Sequence, residues 1–274
     1  MMTRISRAPA LVLSVGLLIT GAAMAQTPPA SKPEASEFKL ILEPRAIELL
    51  KATSARLAAA KAMTFTAVAG YEYPSKLGPP IVYSVRYDVA MQRPNLLRIV
   101  TPGDGPASEF IYDGKSIMAY SPAEDLVAVA DAPPTIDAAL KHAYDTAAIF
   151  YPFTDLLLDD PYAALAHKAN LAFTIGQSAV VGGVKTDMVA WGNDDVFLQI
   201  WIGTEDKLPR RIRAVYSADP LLLRHEMELS NWQLDPATMP DLAASEKVKA
   251  GKRIPFASPT SPLPPGVKPL FEQH

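Results

Sequence analysis

Side chains that commonly carry acid–base or metal chemistry are few in this sequence and are not arranged for it. The chain has no cysteine, and its four histidines are His142, His167, His225 and His274. No two histidines have the H-x-x-x-H spacing with which one helix face binds zinc. Asp159 and Asp160 precede Pro161, which is typical of a helix cap rather than a carboxylate dyad. The sequence therefore predicts a protein that is not an enzyme, with no metal site and no cofactor; a hydrolase that depends on His142 or His225 is the minor alternative.

Arg93 is the charged residue whose position is most informative. It stands next to Pro94, at the junction of two predicted strands and beside an apolar sheet face. One interpretation is a solvated arginine at a strand end. The other is a guanidinium turned toward the interior, which costs free energy unless its donors are satisfied. Carbonyl oxygens at the C-terminus of a neighbouring helix would satisfy them and favour the positive charge.

The segments that must position these residues are mostly strands. Apolar side chains recur at every second residue from Ile81 to Met91, with Ser84, Arg86 and Asp88 between them. A period of two produces one apolar and one polar face only in an extended strand. In a later strand, 196–202, both faces are apolar. That strand must be covered on both sides or line a cavity.

Helical periodicity is found in three segments, 44–62, 136–150 and 161–169. The last two form an insertion at 133–169 in a chain of about ten or eleven predicted strands. Insertions of this length on a sheet often cover a site. We therefore predict a mainly β fold with flanking helices (α+β). Its curved antiparallel sheet forms an open, incomplete β-barrel with helices plugging the concave side.

The ends of the chain predict export and one folded domain. Residues 1–25 have the basic, apolar and small-residue sections of a signal peptide. We expect a flexible leader at 26–43, the domain at 44–254 and a Pro-rich tail at 255–274. Because the chain has no cysteine it has no lipobox, so these features predict a soluble periplasmic protein of a Gram-negative bacterium. The net charge of −3 argues against a nucleic-acid partner.

Short motifs in the first half of the chain show a family resemblance. They are Arg93-Pro94-Asn95-Leu96, Asp113-Gly114-Lys115, Tyr120 and Pro122. Together with the order of elements over about residues 44–235, they resemble the periplasmic lipoprotein carriers LolA and LolB. The chain is still more similar to a family of predicted periplasmic proteins of unknown function thought to share that fold. The resemblance implies an apolar cavity for acyl chains, plugged by helices that Arg93 latches as the lid.

The predicted site therefore consists of a cavity wall, a lid and a latch. The expected wall residues are Tyr83, Val85, Tyr87, Leu97, Ile99, Phe197 and Trp201. The expected lid residues are Ile136, Leu140 and Tyr144, and the expected latch is Arg93. The expected ligand is a lipid or an acyl chain, carried or chaperoned in envelope lipid or lipoprotein traffic. Such a role implies transient contact with a membrane and with an envelope protein or lipoprotein.

Two alternatives stay open. Residues 236–256 are polar where the carriers have a Phe-rich strand, so a lipid-like ligand other than a lipoprotein is equally supported. A different class of function is an envelope interaction or stress-sensing module with no small-molecule ligand. In such a module, large side chains such as Tyr83, Phe197 and Trp201 would fill the concave side of the sheet. In a carrier they would surround a space.

Overall fold

The computed structural model describes residues 41–103 and 105–258. The expected signal peptide, residues 26–40 of the expected leader and residues 259–274 of the expected tail lie outside the described residues. The α-helices of the described chain are α1 (Pro44–Ala58), α2 (Ile136–Ala147), α3 (Thr154–Leu157), α4 (Pro161–Ala166) and α5 (Glu246–Ala250). The strands are β1 (Ala62–Tyr73), β2 (Ile81–Gln92), β3 (Leu96–Thr101), β4 (Ser108–Tyr112), β5 (Ser116–Ser121), β6 (Leu126–Asp131), β7 (Leu171–Ser178), β8 (Thr186–Gly192), β9 (Val196–Gly203), β10 (Pro209–Tyr216), β11 (Arg224–Leu234) and β12 (Lys252–Ile254).

These strands form one 12-stranded sheet, in the order β12-β6-β5-β4-β3-β2-β1-β11-β10-β9-β8-β7. Neighbouring strands are antiparallel except for β12, which lies parallel to β6. The edge strands β12 and β7 are not paired with each other, so the sheet stays open. The predicted fold class, a mainly β protein with an open curved sheet and flanking helices, is confirmed.

Local sequence signals start the helices of the insertion where they were predicted. The Thr135 hydroxyl caps α2 by accepting a hydrogen bond from the Ala138 N–H at 3.3 Å. Asp160 caps α4 by accepting bonds from the N–H groups of Tyr162 and Ala163, each at 3.1 Å. Both caps satisfy donors that a helix N-terminus leaves unpaired. The sequence pattern did not predict α3, because a single turn is too short to show helical periodicity.

Two predicted boundaries differ from the structure. The expected leader includes residues 41–43, but these residues pair with the edge strand β7. The Ala172 N–H donates to the Ile41 carbonyl and the Glu43 N–H donates to the Ala172 carbonyl, both at 2.7 Å. The expected tail begins at 255, but the Ser258 N–H donates to the Thr146 carbonyl of α2 at 2.9 Å. Backbone groups at a sheet edge and at a helix end need partners, and both segments supply them.

Helices α1 to α4 cover one face of the sheet, which we call the inner face, and pack with it in two clusters. The α2 cluster joins α2 and the segment 151–157 to β1–β5, with side chains that include Phe65, Leu97, Ile99, Phe110, Ile136, Leu140 and Phe153. The α1 cluster joins α1 to β7–β10, with side chains that include Ala46, Leu50, Trp191, Leu198 and Ile200. On the opposite, outer face, α5 packs its Val248 against Ile111 and Val127.

Candidate functional site

A cavity of about 1000 Å³ lies on the inner face between the α2 cluster and the α1 cluster. Its floor is formed by β1, β2, β9, β10 and β11, and its roof by α1 and by residues 150–165 of the insertion. The side chains that line its interior are mainly aliphatic and include Leu57, Leu198, Ile200, Ile202, Ile212 and Met227. Ligand pockets for small apolar molecules have volumes up to about this size. The molecule is therefore hollow between the two clusters.

The cavity opens at the end of the β1–β2 hairpin. Tyr73 and Tyr83 of this hairpin and Leu221 of the β10–β11 connection line the cavity and are half exposed or more. Beyond them lie Leu77, which is 89% exposed, and Ile81, which is 50% exposed and pairs with Tyr73. The mouth is thus surrounded by apolar side chains in contact with water.

The sequence-predicted wall residues separate into those that line the cavity and those that do not. Tyr83 and Tyr87 of β2 line it. Val85 lies on the same strand face as these two, because side chains alternate along a strand, but it is not a lining residue. Leu97 and Ile99 of β3 are fully buried in the α2 cluster. These two residues are buried as predicted for an inner-face position, but they pack in the α2 cluster and do not line the cavity.

The prediction for Phe197 and Trp201 chose the wrong face of β9. Val196, Leu198, Ile200 and Ile202 line the cavity, so the intervening positions point to the outer face. Phe197 is 37% exposed there, and the Trp201 ring lies 5.7 Å from the Arg211 guanidinium. Both faces of this strand are apolar, and the sequence alone does not say which one meets the helices.

The predicted lid residues are not the roof of the cavity. Ile136 and Leu140 are buried in the α2 cluster, and the Tyr144 ring packs edge-on against Phe150 with the ring centres 6.5 Å apart. The roof comes instead from the later part of the insertion, with Phe150, Pro152, Asp155, Leu156, Pro161 and Leu165 as its lining residues. The aromatic run from Phe150 to Phe153 between the two predicted helices was the signal for this segment.

Arg93 is turned toward the insertion, and its side chain is only 13% exposed. Its Nη2 donates to the carbonyl of Leu158, the residue that ends α3, at 2.9 Å. Its Nη1 donates to Asp159 Oδ1 at 2.5 Å. The next residue, Pro94, accepts a hydrogen bond from the Ile136 N–H at the start of α2, at 3.2 Å. This geometry corresponds to the inward interpretation, with a helix C-terminus as the acceptor; that the contact acts as a latch stays a prediction.

Polar side chains also reach the cavity from four different elements, α1, α3, β10 and β11. Asp155 Oδ1 of α3 and Thr53 Oγ1 of α1 are shielded from solvent and have no hydrogen-bond partner among the described residues. Burial raises the pKa of the Asp155 carboxyl to about 7. Burial, and secondarily the charge of Asp155, raises the pKa of the Tyr216 hydroxyl to about 12. Burial lowers the pKa of His225, so this histidine favours its neutral form.

Other kinds of site are not found in the part of the chain that the structure describes. Within residues 41–103 and 105–258, no group of three or more His, Cys, Asp or Glu side chains is placed to hold a metal ion. In the same residues, no helix has the length and hydropathy needed to cross a bilayer. Of the predicted site residues, Tyr83 and Tyr87 line the cavity, and the helical insertion supplies part of its roof.

The comparison with protein families identifies the family to which the chain belongs. A family model described as "Predicted periplasmic protein (DUF2092)" matches residues 46–257. The chain belongs to this family. The match confirms the nearer of the two resemblances drawn from the Arg93-Pro94 region, that to predicted periplasmic proteins of unknown function. It also confirms the periplasmic location. A search of curated proteins found no match to the chain.

Solved structures similar to this member of the DUF2092 family share little sequence with it. An uncharacterized conserved protein from Thermus thermophilus is 11% identical with a TM-score of 0.44, covering 77% of this chain and 99% of its own. LprF from Mycobacterium bovis is 18% identical with a TM-score of 0.43, covering 74% and 99%. A LolA superfamily protein from Nitrosomonas europaea is 8% identical with a TM-score of 0.32, covering 70% and 94%.

Proposed function

We propose that this protein binds the hydrocarbon part of a lipid-like ligand in the cavity and carries or chaperones it in the periplasm. The observation that carries the proposal is the hollow of about 1000 Å³ with mainly aliphatic walls. Each 100 Å² of apolar ligand surface that enters it contributes about 2.5 kcal/mol before the costs of association. Periplasmic family membership supports a ligand drawn from the cell envelope.

The contacts of α4 suit it to be the moving part of the roof. Pro161 and Leu165 face the cavity, and α4 is held to α1 by two polar contacts and by the partly buried side chains of Tyr162 and Leu165, which pack against the α1 cluster. The Tyr162 N–H donates to Ser54 Oγ at 2.9 Å, and the Lys51 ammonium lies 5.3 Å from the centre of the Tyr162 ring. The side chains that α4 adds to the α1 cluster are only partly buried, whereas Ile136 and Leu140 of α2 are buried in theirs, so α4 costs less to separate. In this proposal α4 and the α3–α4 joint open, while α2 stays packed in its cluster.

Arg93 then sets how readily the joint opens. It holds the Leu158 carbonyl and the Asp159 carboxylate, and these two residues directly precede the Asp160 cap of α4. The carbonyl contact is the stronger restraint, because Asp159 is 69% exposed and its charge is screened by water. Loss of the guanidinium would therefore loosen the roof without disturbing the α2 cluster. This is the form in which we retain the latch predicted for Arg93.

Occupancy of the cavity can be tested with a variant that fills it. Ala214 lies on β10 and lines the hollow, so Ala214→Phe should place a ring in the space that the ligand needs. We expect binding of the neutral fluorophore N-phenyl-1-naphthylamine to fall by about tenfold or more. The matched control is Phe197→Trp, an enlargement on the outer face of the neighbouring strand, which should leave binding unchanged. Equal binding by both variants would contradict the proposal.

The apolar mouth supports a second element of the function, transient docking on a membrane surface. Leu77 is strongly exposed, and Ile81 is half exposed and lies directly opposite the lining residue Tyr73. Exposed apolar patches mark interaction surfaces. Leu77→Asp together with Ile81→Asp should slow transfer of a fluorescent lipid between vesicles. Val180→Asp is the matched control, because Val180 is 88% exposed but is not a lining residue. Equal slowing by the control would argue against a docking role for the mouth.

An interaction module without a ligand is the other candidate function, and the exposed mouth also suits a protein partner. The Ala214→Phe variant separates the two, because a protein bound at the rim does not need the interior. A partner recovered equally by the wild-type protein and by Ala214→Phe, with no ligand detected in either, would favour the interaction module.

A further inference from the structure

The carboxyl groups of the cavity lining have no lysine or arginine beside them in that lining. Among the described residues that line it, four carry a carboxyl group, namely Glu72, Asp155, Asp219 and Glu226, and there is no lysine or arginine. Glu72 and Glu226 are paired with Arg224 and Arg211 respectively. Asp219 is engaged by the backbone N–H groups of Leu221 and Leu223, each at 2.9 Å. These three carboxylates are therefore already occupied by the protein.

Asp155 differs from the other three carboxyl groups. Its Oδ1 is shielded from solvent and has no hydrogen-bond partner among the described residues. The Thr53 hydroxyl, on the facing helix α1, is shielded and unpaired in the same way. A buried polar atom without a partner costs free energy. Both residues line the hollow, so a rotation of either side chain would present its unpaired atom to a polar group on a ligand within it.

We infer that the cavity prefers a long-chain ligand whose head is an uncharged hydroxyl group over one whose head is a carboxylate or phosphate. This inference rests on the proposed function. The hydroxyl would bond to Asp155 and Thr53, and the chain would lie along the aliphatic wall. The ligand class is thus that of fatty alcohols and other hydroxyl-bearing neutral lipids.

The chemistry of the two heads explains the preference. A hydroxyl both donates and accepts, so it can bond to an aspartate whether the aspartate is ionised or protonated. A carboxylate or phosphate head would bring a second negative charge toward Asp155, with no cationic side chain in the lining to offset it. Like charges in a desolvated site repel strongly, and burying an unpaired anion is costly.

The test is competition between two ligands of equal chain length. At about pH 8, 1-dodecanol and dodecanoate displace N-phenyl-1-naphthylamine from the full-length mature protein. We expect dodecanol to compete at about tenfold lower concentration, which corresponds to one extra favourable or unfavourable polar interaction. Dodecanoate competing as well as dodecanol, or better, would overturn the inference and leave the proposed function standing. If neither ligand competes and the fluorophore does not bind, both the inference and the proposed function fail.

Variants assign the preference to the two polar residues. Asp155→Asn removes the charge and keeps a hydrogen-bonding group, so the preference for dodecanol should narrow to about threefold or less. Thr53→Val removes the hydroxyl at nearly constant shape and should weaken dodecanol about threefold with little change for dodecanoate. The control Asp145→Asn removes a carboxylate that is paired with Lys141 on α2. It should leave the competition by dodecanol and by dodecanoate unchanged. A preference that survives Asp155→Asn unchanged would overturn the assignment to Asp155.

Discussion

The inner face of the sheet is solid under α2 and hollow between the α2 cluster and the α1 cluster, although one continuous sheet forms both halves. Under α2, the rings of Phe65, Phe110, Tyr151 and Phe153 pack against one another, with Phe65 and Phe153 ring centres 5.5 Å apart. Between the two clusters, small residues such as Ala69, Gly70 and Ala214 line the floor of the cavity. Large rings held by residues 150–157 fill one half. In the other half, the small side chains of the floor do not reach the roof, and a space remains between them.

The difference shows how one fold serves two requirements. The sequence left open a filled interior, as in an interaction module, and a hollow one, as in a carrier. The structure has a filled half and a hollow half side by side. A packed half can stabilise the domain while the other half gives up packing contacts for space, since natural proteins give up stability at functional sites.

The largest expected effect is in the filled half. Phe153 is fully buried and contacts the rings of Tyr87, Phe65 and Tyr151, so Phe153→Ala should lower the free energy of unfolding by about 3–5 kcal/mol. Leu198→Ala, in the wall of the hollow half, should cost about 2 kcal/mol, the low end of the range for a buried leucine, because one side of its side chain faces the cavity. Denaturant unfolding measures both. Equal losses would remove the distinction between the two halves.

The next effect concerns the buried carboxyl of the hollow half. Burial raises the pKa of Asp155 from 3.8 to about 7, so the folded state holds this proton more tightly than the unfolded state. Its contribution to stability is then fullest below about pH 4, falls between about pH 4 and 7 and is constant above that. Asp155→Asn, which resembles the neutral acid, should remove this slope and raise the free energy of unfolding at about pH 8 by on the order of 2 kcal/mol.

Unfolding curves of both proteins at several pH values measure the effect, with Asp145→Asn as the charge-matched control. If the free energy of unfolding of Asp155→Asn falls with pH as steeply as that of the wild-type protein, the pH dependence does not come from the Asp155 carboxyl.

A smaller effect is expected at the junction between the halves. Arg93→Leu removes both hydrogen bonds to residues 158–159 and should lower the free energy of unfolding by about 1–2 kcal/mol. Amide exchange should become faster in 158–166 while residues 136–147 of α2 keep their protection. Arg86→Leu is the control, since Arg86 pairs with Asp88 on the exposed side of β2. Unchanged exchange in 158–166 would contradict the role of Arg93 as a latch.

The smallest effect is expected on the outer face. Phe197→Ala removes a partly exposed ring that faces away from the cavity, so the loss of stability should be below about 1 kcal/mol. Binding of an alkyl ligand should not change. Weakened binding, measured by fluorophore displacement, would return Phe197 to the cavity wall and reverse the face assigned to β9.

The sequence predicted the features that depend on neighbouring residues and missed those that depend on contacts between distant residues. Alternation along β2 and the caps at Thr135 and Asp160 are local signals, and they predicted their elements correctly. The contact of Arg93 with a helix C-terminus was one of two interpretations, because a buried guanidinium needs acceptors. The face of β9 and the half of the sheet that is hollow depend on where residues 150–157 pack. That packing joins residues far apart in the chain, so no local pattern specifies it.

The most direct test of the account is to locate a bound alkyl chain by nuclear Overhauser effects in the methyl-labelled protein. With a saturating long-chain alcohol, we predict contacts from the ligand to the methyl groups of Leu198, Ile200 and Ile202 in the hollow half. No contacts should reach Leu97 or Ile99 in the filled half. Contacts that appear at Leu97 and Ile99, or that are absent from the hollow half at saturation, would contradict the claim that this hollow is the binding site.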